Sequence, residues 1–399
     1  MISGRLTILE RAEDLPPVWE RVAHGRALSL DPRFLRTLQS NATDGANRRY
    51  FVYEPESGPT VVAAAVLLEP AAARNPVASV LLGRLFGRLP ASQNWLLPML
   101  VLRAETTTDA PYCTDTAHPG REAALRGLLA ALEDHAEREG WSLAFDYVPV
   151  DDPAMSAACA ERGYLRTLAR PNAEMRIEWN TWEAYLKSAA RHSKRAATNI
   201  RTELNHARRD GLAITEWCAA ATPESDLHRL MVEHEARLNG RELLFRPGLL
   251  GRLSEALGGD FKVFLGSCGG RLQGVVAFAR SGNRGYVTYP GLLHENERSG
   301  SAYFNLLYYH PIRLAIELGL DSIAFGNGAL AAKIRRGCTV QAGALCFRPR
   351  GRILRRALGA PVALHRRGLR HKYASFLSAS PFSNLIDSRH ASPGHQRTP

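Results

Sequence analysis

The chain has 399 residues, 45% hydrophobic and 23% charged, the proportions of a folded globular protein long enough for two domains. No apolar run approaches the roughly 18–20 residues that cross a bilayer, and the start lacks the apolar core of a signal peptide, so a cytoplasmic protein with no membrane span is expected. The net charge of +12 is concentrated in two segments and points to a polyanionic partner.

The first half reads as a strand at 6–10, a helix at 32–39 and strands at 49–53, 60–68 and 95–102, with an Ala-, Gly- and Arg-rich loop or irregular helix at 70–89. An amphipathic helix at 121–139 presents Leu125, Leu128, Leu129 and Leu132 on one face, and Gly140 ends it. A strand at 142–148, a helix at 153–162 and a strand at 164–177 complete the half. The second half begins with a helical region at 181–210. Ala196, Ile200, Leu204 and Ala207 line one face, while Lys194, Arg201 and Arg208 repeat every seven residues on another. A strand at 212–217 and helices at 223–238 and 246–257 follow. Strands at 262–267, 271–280 and 284–289, separated by Gly269–Gly270 and Gly282–Asn283, make a β-meander. Then come a helix at 302–318 stopped by Gly319, a short buried strand at 321–325, a Gly-Asn-Gly turn, a short helix and an apolar strand at 340–347. A basic helix at 352–375 leads to a Ser-, Pro- and His-rich tail, read as disordered past about 382.

The repeated order of strand, helices, antiparallel strands, helix, strand, helix, strand divides the chain into modules at 1–178 and 179–350, with a basic tail at 351–399. The fold class is α+β, with a mixed, mostly antiparallel sheet flanked by helices in each module. The six cysteines, at 113, 159, 218, 268, 338 and 346, lack metal-ligand spacing and read as reduced and mostly buried. Nucleophile-elbow, HExxH and Walker sequences do not occur.

The charge has two foci. Residues 187–209 carry seven cations (Lys187, Arg191, Lys194, Arg195, Arg201, Arg208 and Arg209) against Glu203, a net +6. Residues 348–372 carry nine cations and no acid. A solvated basic surface accounts for either alone; both together favour a phosphate-bearing ligand, since neutralised phosphates drive such binding.

Three pieces of sequence resemble a known family. They are Gly319–Leu320 with Phe325–Gly326, the turn Lys333–Ile334–Arg335–Arg336–Gly337, and the basic helix that begins near Tyr185. Together they resemble the GNAT acyltransferase superfamily, and within it the FemABX-like branch. The resemblance covers 180–348 by motif and 1–178 by pattern only. It implies two GNAT-like modules, an aminoacyl-tRNA donor, an amine or hydroxylamine acceptor from a natural product or cell-wall precursor, and no metal or other cofactor.

The resemblance also assigns roles. Lys333 stabilises the oxyanion of the tetrahedral intermediate or neutralises the terminal phosphate. Arg335 and Arg336, with Lys194, Arg195 and Arg201, contact tRNA phosphates. In an ordinary GNAT enzyme a loop at a helix N-terminus binds the pyrophosphate of coenzyme A through backbone amides. Here that place reads Glu297–Arg298–Ser299–Gly300–Ser301–Ala302. Gly300 and Ala302 match, Glu297 stands where Arg or Gln is expected and would repel the pyrophosphate, and Arg298 partly compensates. The first half has no such loop.

An acceptor amine must lose a proton as it attacks, and His234, Glu235 and His310 are the candidate bases. Tyr289 lies where GNAT folds splay two strands. Asp146 can hold an acceptor ammonium, and Asn305 and Asn327 can hydrogen-bond substrate; a structural ion pair, a cap and a turn are the plain alternatives. Three readings stay open: a tRNA-dependent aminoacyltransferase, an acyl-CoA-dependent N-acyltransferase, and a nucleic-acid-binding protein with a decayed transferase fold.

Overall fold

The computed structural model describes residues 4–70, 96–106, 108–192, 194–240, 242–293 and 302–377. Two mixed sheets carry the fold. The first joins β1 (Gly4–Leu9), β2 (Asn47–Pro55), β3 (Val61–Leu68), β4 (Met99–Leu102), β6 (Ser142–Pro149), β15 (Gly343–Arg348) and β7 (Leu165–Leu168) in that spatial order, with β5 (Tyr112–Cys113) paired to β3. The second runs β14 (Thr339–Gln341), β8 (Asn172–Arg176), β13 (Ser322–Gly326), β12 (Arg284–Leu292), β11 (Arg271–Ser281), β10 (Phe261–Cys268) and β9 (Leu212–Glu216). Each sheet is antiparallel except for one parallel pair, β4 with β6 and β12 with β13. The architecture is α+β, with two mostly antiparallel mixed sheets in tandem, each flanked by helices.

The sheets do not follow chain order. The segment read as one strand at 164–177 is two, β7 and β8, and they lie in different sheets. Pro171 stands in the break, where its missing N–H cannot serve a ladder. The segment read as one strand at 340–347 divides the same way. β14 pairs β8 in the second sheet, and β15 inserts between β6 and β7 in the first. A division at 178/179 describes the sequence, while each sheet contains a strand from the other half.

Helices cover both faces of each sheet. The helix Arg121–Arg138 buries Leu125, Leu128, Leu129 and Leu132 completely against the first sheet. Removing one such side chain to Ala costs roughly 2–5 kcal/mol. Pro17–Ala23 and Pro32–Asn41 cover the opposite face through Trp19, Ala23 and Leu35. Pro32–Asn41 starts where such a helix should: Pro32 sits in its first turn, and the Asp31 carboxylate accepts from Arg33 N at 2.9 Å. Its other side, Phe34 and Leu38, packs with Leu227, Leu250 and Leu253 of the second half. One helix therefore belongs to both cores.

On the second sheet, Glu224–Asn239 and Leu249–Leu257 cover one face. The helices Trp182–His192 and Lys194–Arg209 and the segment after Ala302 cover the other. The helix expected at 302–318 contains a widened π-turn, Asn305–Tyr309, before its α-helical part His310–Glu317. Pro311 explains the change, because it has no N–H for the preceding turn. Gly140 and Gly319 take the positive φ values, 72° and 62°, that a helix stop uses. The loop read at 70–89 lies almost wholly outside the described residues, as does the tail past 377.

Candidate active site

The second sheet opens at its parallel pair. β12 and β13 are in register from Arg284↔Ser322 to Tyr286↔Ala324, and pairing stops there although both strands continue. On the other side of β12 the register with β11 shifts: Val275 opposes Gly291 and Ala277 opposes Thr288, which leaves Tyr289 and Pro290 as a bulge. Tyr289 pays for this with φ of 49°, a conformation unfavourable for a bulky residue. Gly291 is required beside it. A Cβ there would lie 2.8 Å from the backbone nitrogen of Met231, so the helix Glu224–Asn239 rests directly on the bulge.

A cavity of about 460 Å³ fills the opening. Val287, Thr288 and Tyr289 line it from β12, Phe325 and Gly326 from β13, and Met231, His234, Glu235 and Leu238 from the helix on the bulge. That helix contributes residues spaced three or four apart because one of its faces meets the site. Ala329, the N-cap of the short helix Leu330–Ile334, also lines the cavity, with φ of 48°. Tyr289 and Ala329 are the only non-glycine residues with positive φ among the described residues. Strain of this kind persists where surrounding structure enforces it, and it concentrates at functional sites.

The strained turn inserts Lys333. Its side chain is 6% exposed and lines the cavity. The ammonium donates to the carbonyl oxygens of Phe325 and Gly326, at the end of β13. Burial pushes its pKa down to about 8. An ammonium has three donors, so one N–H is left for a substrate oxygen. Tyr308 stacks on Phe325 beside it, with ring centroids 5.5 Å apart, and lies 3.4 Å from the Tyr303 hydroxyl.

The first half supplies the opposite wall. Asp44, Arg48, Arg103, Glu105 and Arg170 all line the cavity. Arg48 is neutralised, held by Asp44 at 3.1 and 3.0 Å and by Glu105 at 2.7 Å. The guanidinium groups of Arg103 and Arg170 have no ion-pair partner among the described residues. Two uncommitted cations therefore face the same space as Lys333. None of these wall residues stood out in sequence. Arg103 directly follows the apolar strand Met99–Leu102, and a charge at a strand end was the available signal.

Behind the cavity, Arg336 is buried at 4% exposure. It pairs with Glu203 at 2.6 Å, donates to Tyr309 Oη at 3.1 Å and to Ala332 O at 2.8 Å, and lies 3.9 Å over the Phe304 ring. Glu203 also accepts from the Tyr309 hydroxyl. These bonds tie the Lys333 turn to the basic helix Lys194–Arg209, whose buried residues are Ala196, Ala197, Ile200 and Ala207. Lys194, Arg195 and Arg201 are exposed on it.

Of the residues singled out in sequence, Lys333, His234, Glu235, Tyr289 and Asn327 meet in this cavity. His234 is buried there at 5% exposure. Arg335 is exposed, and Arg336 is turned away into its ion pair with Glu203. Asn305 donates to Glu203 O at 3.3 Å, outside the cavity. Asp146 sits on β6 and does not line it. His310 packs against Phe264 at 4.2 Å, and burial lowers its pKa to about 4. Arg298 and Gly300 lie outside the described residues.

Residues 193–333 match the family described as Acetyltransferase (GNAT) domain. The match starts at the basic helix and ends on Lys333. That segment is similar to GNAT acyltransferase domains, which places the chain's likeness in the acyltransferase class of enzymes. The tandem fold is similar to that of several solved structures. The structure named FemX has a TM-score of 0.53 at 13% identity, over 86% of this chain and 96% of that one. The C-terminal DUF2156 domain of a protein from Agrobacterium fabrum, titled a lysylphosphatidylglycerol synthetase, has 0.53 at 13%, over 88% and 95%. The structure titled L-PGS from Bacillus licheniformis has 0.51 at 11%, over 88% and 97%. These likenesses concern the fold. The sequence matches none of the curated proteins.

Proposed function

We propose that the protein transfers an aminoacyl group from aminoacyl-tRNA to an amine or hydroxylamine acceptor, in the cavity where β12 and β13 part. One observation carries this reading: the turn that inserts Lys333 into the cavity is bonded through Arg336 and Glu203 to an exposed basic helix. A polyanion lying along that helix is thereby directed to the reactive position. The acceptor nitrogen attacks the ester carbonyl carbon, a C–N bond forms, and the bond to the tRNA ribose oxygen breaks. The free N–H of Lys333 meets the oxyanion that develops. His234 takes the proton the amine releases and returns one to the leaving ribose oxygen. Arg103 and Arg170 hold an anionic group of the acceptor, because they are the cations of the cavity without a partner among the described residues. The family match supports a second reading, an acyl-CoA donor at the same Lys333.

The two readings separate in a titration of the purified protein with a bulk aminoacyl-tRNA pool at two salt concentrations, with acetyl-CoA as competitor. Salt-sensitive tRNA binding that acetyl-CoA leaves unchanged supports the first. Saturable acetyl-CoA binding with weak tRNA affinity overturns it in favour of the second.

A further inference from the structure

The C-terminal helix Arg352–Leu377 has two unlike faces. Leu358 and Val362 are buried against the first sheet, and Leu354, Leu369 and Tyr373 pack beside them. This inner face meets β7 and accounts for the helix being docked. The outer face is not explained by the fold. Ile353 is 87% exposed and Leu364 71% exposed, the two most exposed large apolar side chains among the described residues. At about 100° per residue, eleven residues bring Leu364 within about 20° of Ile353, roughly 17 Å further along the helix. Ala357 and Ala360 lie between them on the same stripe, both exposed. Arg352, Arg356 and Arg367 are exposed along one flank, Lys372 is exposed near the C-terminal end, and no acidic residue occurs from 348 to 372.

We infer that this outer face docks on the surface of an anionic lipid bilayer. A cationic helix with an outward apolar stripe lies in the interface plane, its apolar side chains in the acyl boundary and its arginines among anionic headgroups. The alternatives fit the charges less well. RNA would use the arginines and leave Ile353 and Leu364 without an apolar phase. A second copy on the same stripe would bring two acid-free basic faces together, and like charges at such an interface oppose association. Among the described residues no helix is long and apolar enough to cross a membrane, so the contact is peripheral. The other basic segment, Lys194–Arg209, packs on the second sheet and remains the candidate for tRNA.

The test is co-sedimentation of the full chain with vesicles of equimolar phosphatidylglycerol and phosphatidylcholine, and with vesicles of phosphatidylcholine alone. Binding is expected to the anionic vesicles and to be at least about tenfold weaker to the neutral ones. The double variant Ile353→Glu/Leu364→Glu should lose about tenfold of the anionic binding, with its thermal midpoint and its tRNA affinity unchanged. Both positions are exposed, so the fold tolerates the change. Absence of binding to anionic vesicles overturns the inference, as does vesicle binding that the double variant retains. A parallel loss of tRNA affinity in that variant also overturns it and assigns the face to nucleic acid.

Discussion

The two halves each contain one parallel strand pair, and the pairs differ in the one respect on which the proposed site rests. In the first, β4 stays in register with β6 along its whole length, from Met99↔Ser142 to Leu102↔Phe145. In the second, β12 and β13 part after Tyr286↔Ala324 while both strands run on. Among the described residues, the closed pair has no non-glycine residue at positive φ beside it. The open pair has Tyr289 and Ala329 at positive φ and a lysine buried between its strand ends. The first half takes part in the site all the same, because residues just beyond its strand ends, Arg103 and Glu105, form the facing wall. A tandem fold can thus use one module for the reacting groups and the other for substrate recognition.

Substitutions can break this division of labour, and the largest effect is expected at the open pair. Lys333→Ala should lower the turnover number roughly 100- to 1,000-fold, the usual loss for one oxyanion donor, with an unchanged thermal midpoint. Arg336→Met should cost about 2 kcal/mol of stability, because it removes the ion-pair partner of half-buried Glu203 and leaves it only the Tyr309 hydroxyl; chemical denaturation measures it. Arg103→Gln and Arg170→Gln should raise the KM for the acceptor by roughly tenfold each while the turnover number holds, since they bind an anion in ground and transition state alike. Asp146→Asn, on β6 beside the closed pair, should change transfer by less than about twofold; a larger loss would mean that the first half holds reacting groups.

The comparison also has a pH signature. Lys333 has a folded pKa near 8 and an unfolded value of 10.5. It is charged at neutral pH and loses its charge as pH rises through about 8, so transfer should fall there. Stability moves the other way. Between 8 and 10.5 the unfolded state binds the proton that the folded state has released, so this group adds stability with rising pH across that window. A pH–rate profile and denaturation at several pH values separate the two trends.

Much of the fold was legible in sequence because its signals are local. Gly140 and Gly319 stop helices, alternation marks the strands of the meander, and leucine spacing marks the face of Arg121–Arg138. The exchange of β8 and β15 was not legible, because periodicity records which face of a strand is buried and not which sheet it joins. Pro171 marked one break; nothing comparable marks the turn at Ala342. Lys333 stood out by its turn, and the fold brings it into one cavity with His234 and Tyr289. Arg336 was misplaced for a physical reason: three cations in one short turn look alike in sequence, and only the packed structure sends one into the cavity, one to solvent and one to Glu203. The Arg103 and Arg170 wall was hidden because its residues are far apart in the sequence and meet only in the fold.

If the opening between β12 and β13 is where the aminoacyl group changes hands, transfer depends on Lys333. The most direct test is the rate at which a labelled aminoacyl-tRNA pool loses its aminoacyl group to an extract of amine-bearing metabolites, compared between the wild type and Lys333→Ala. The wild type should transfer the group and the variant should lose at least about 100-fold, with tRNA affinity retained. Equal rates in the two proteins would contradict that dependence.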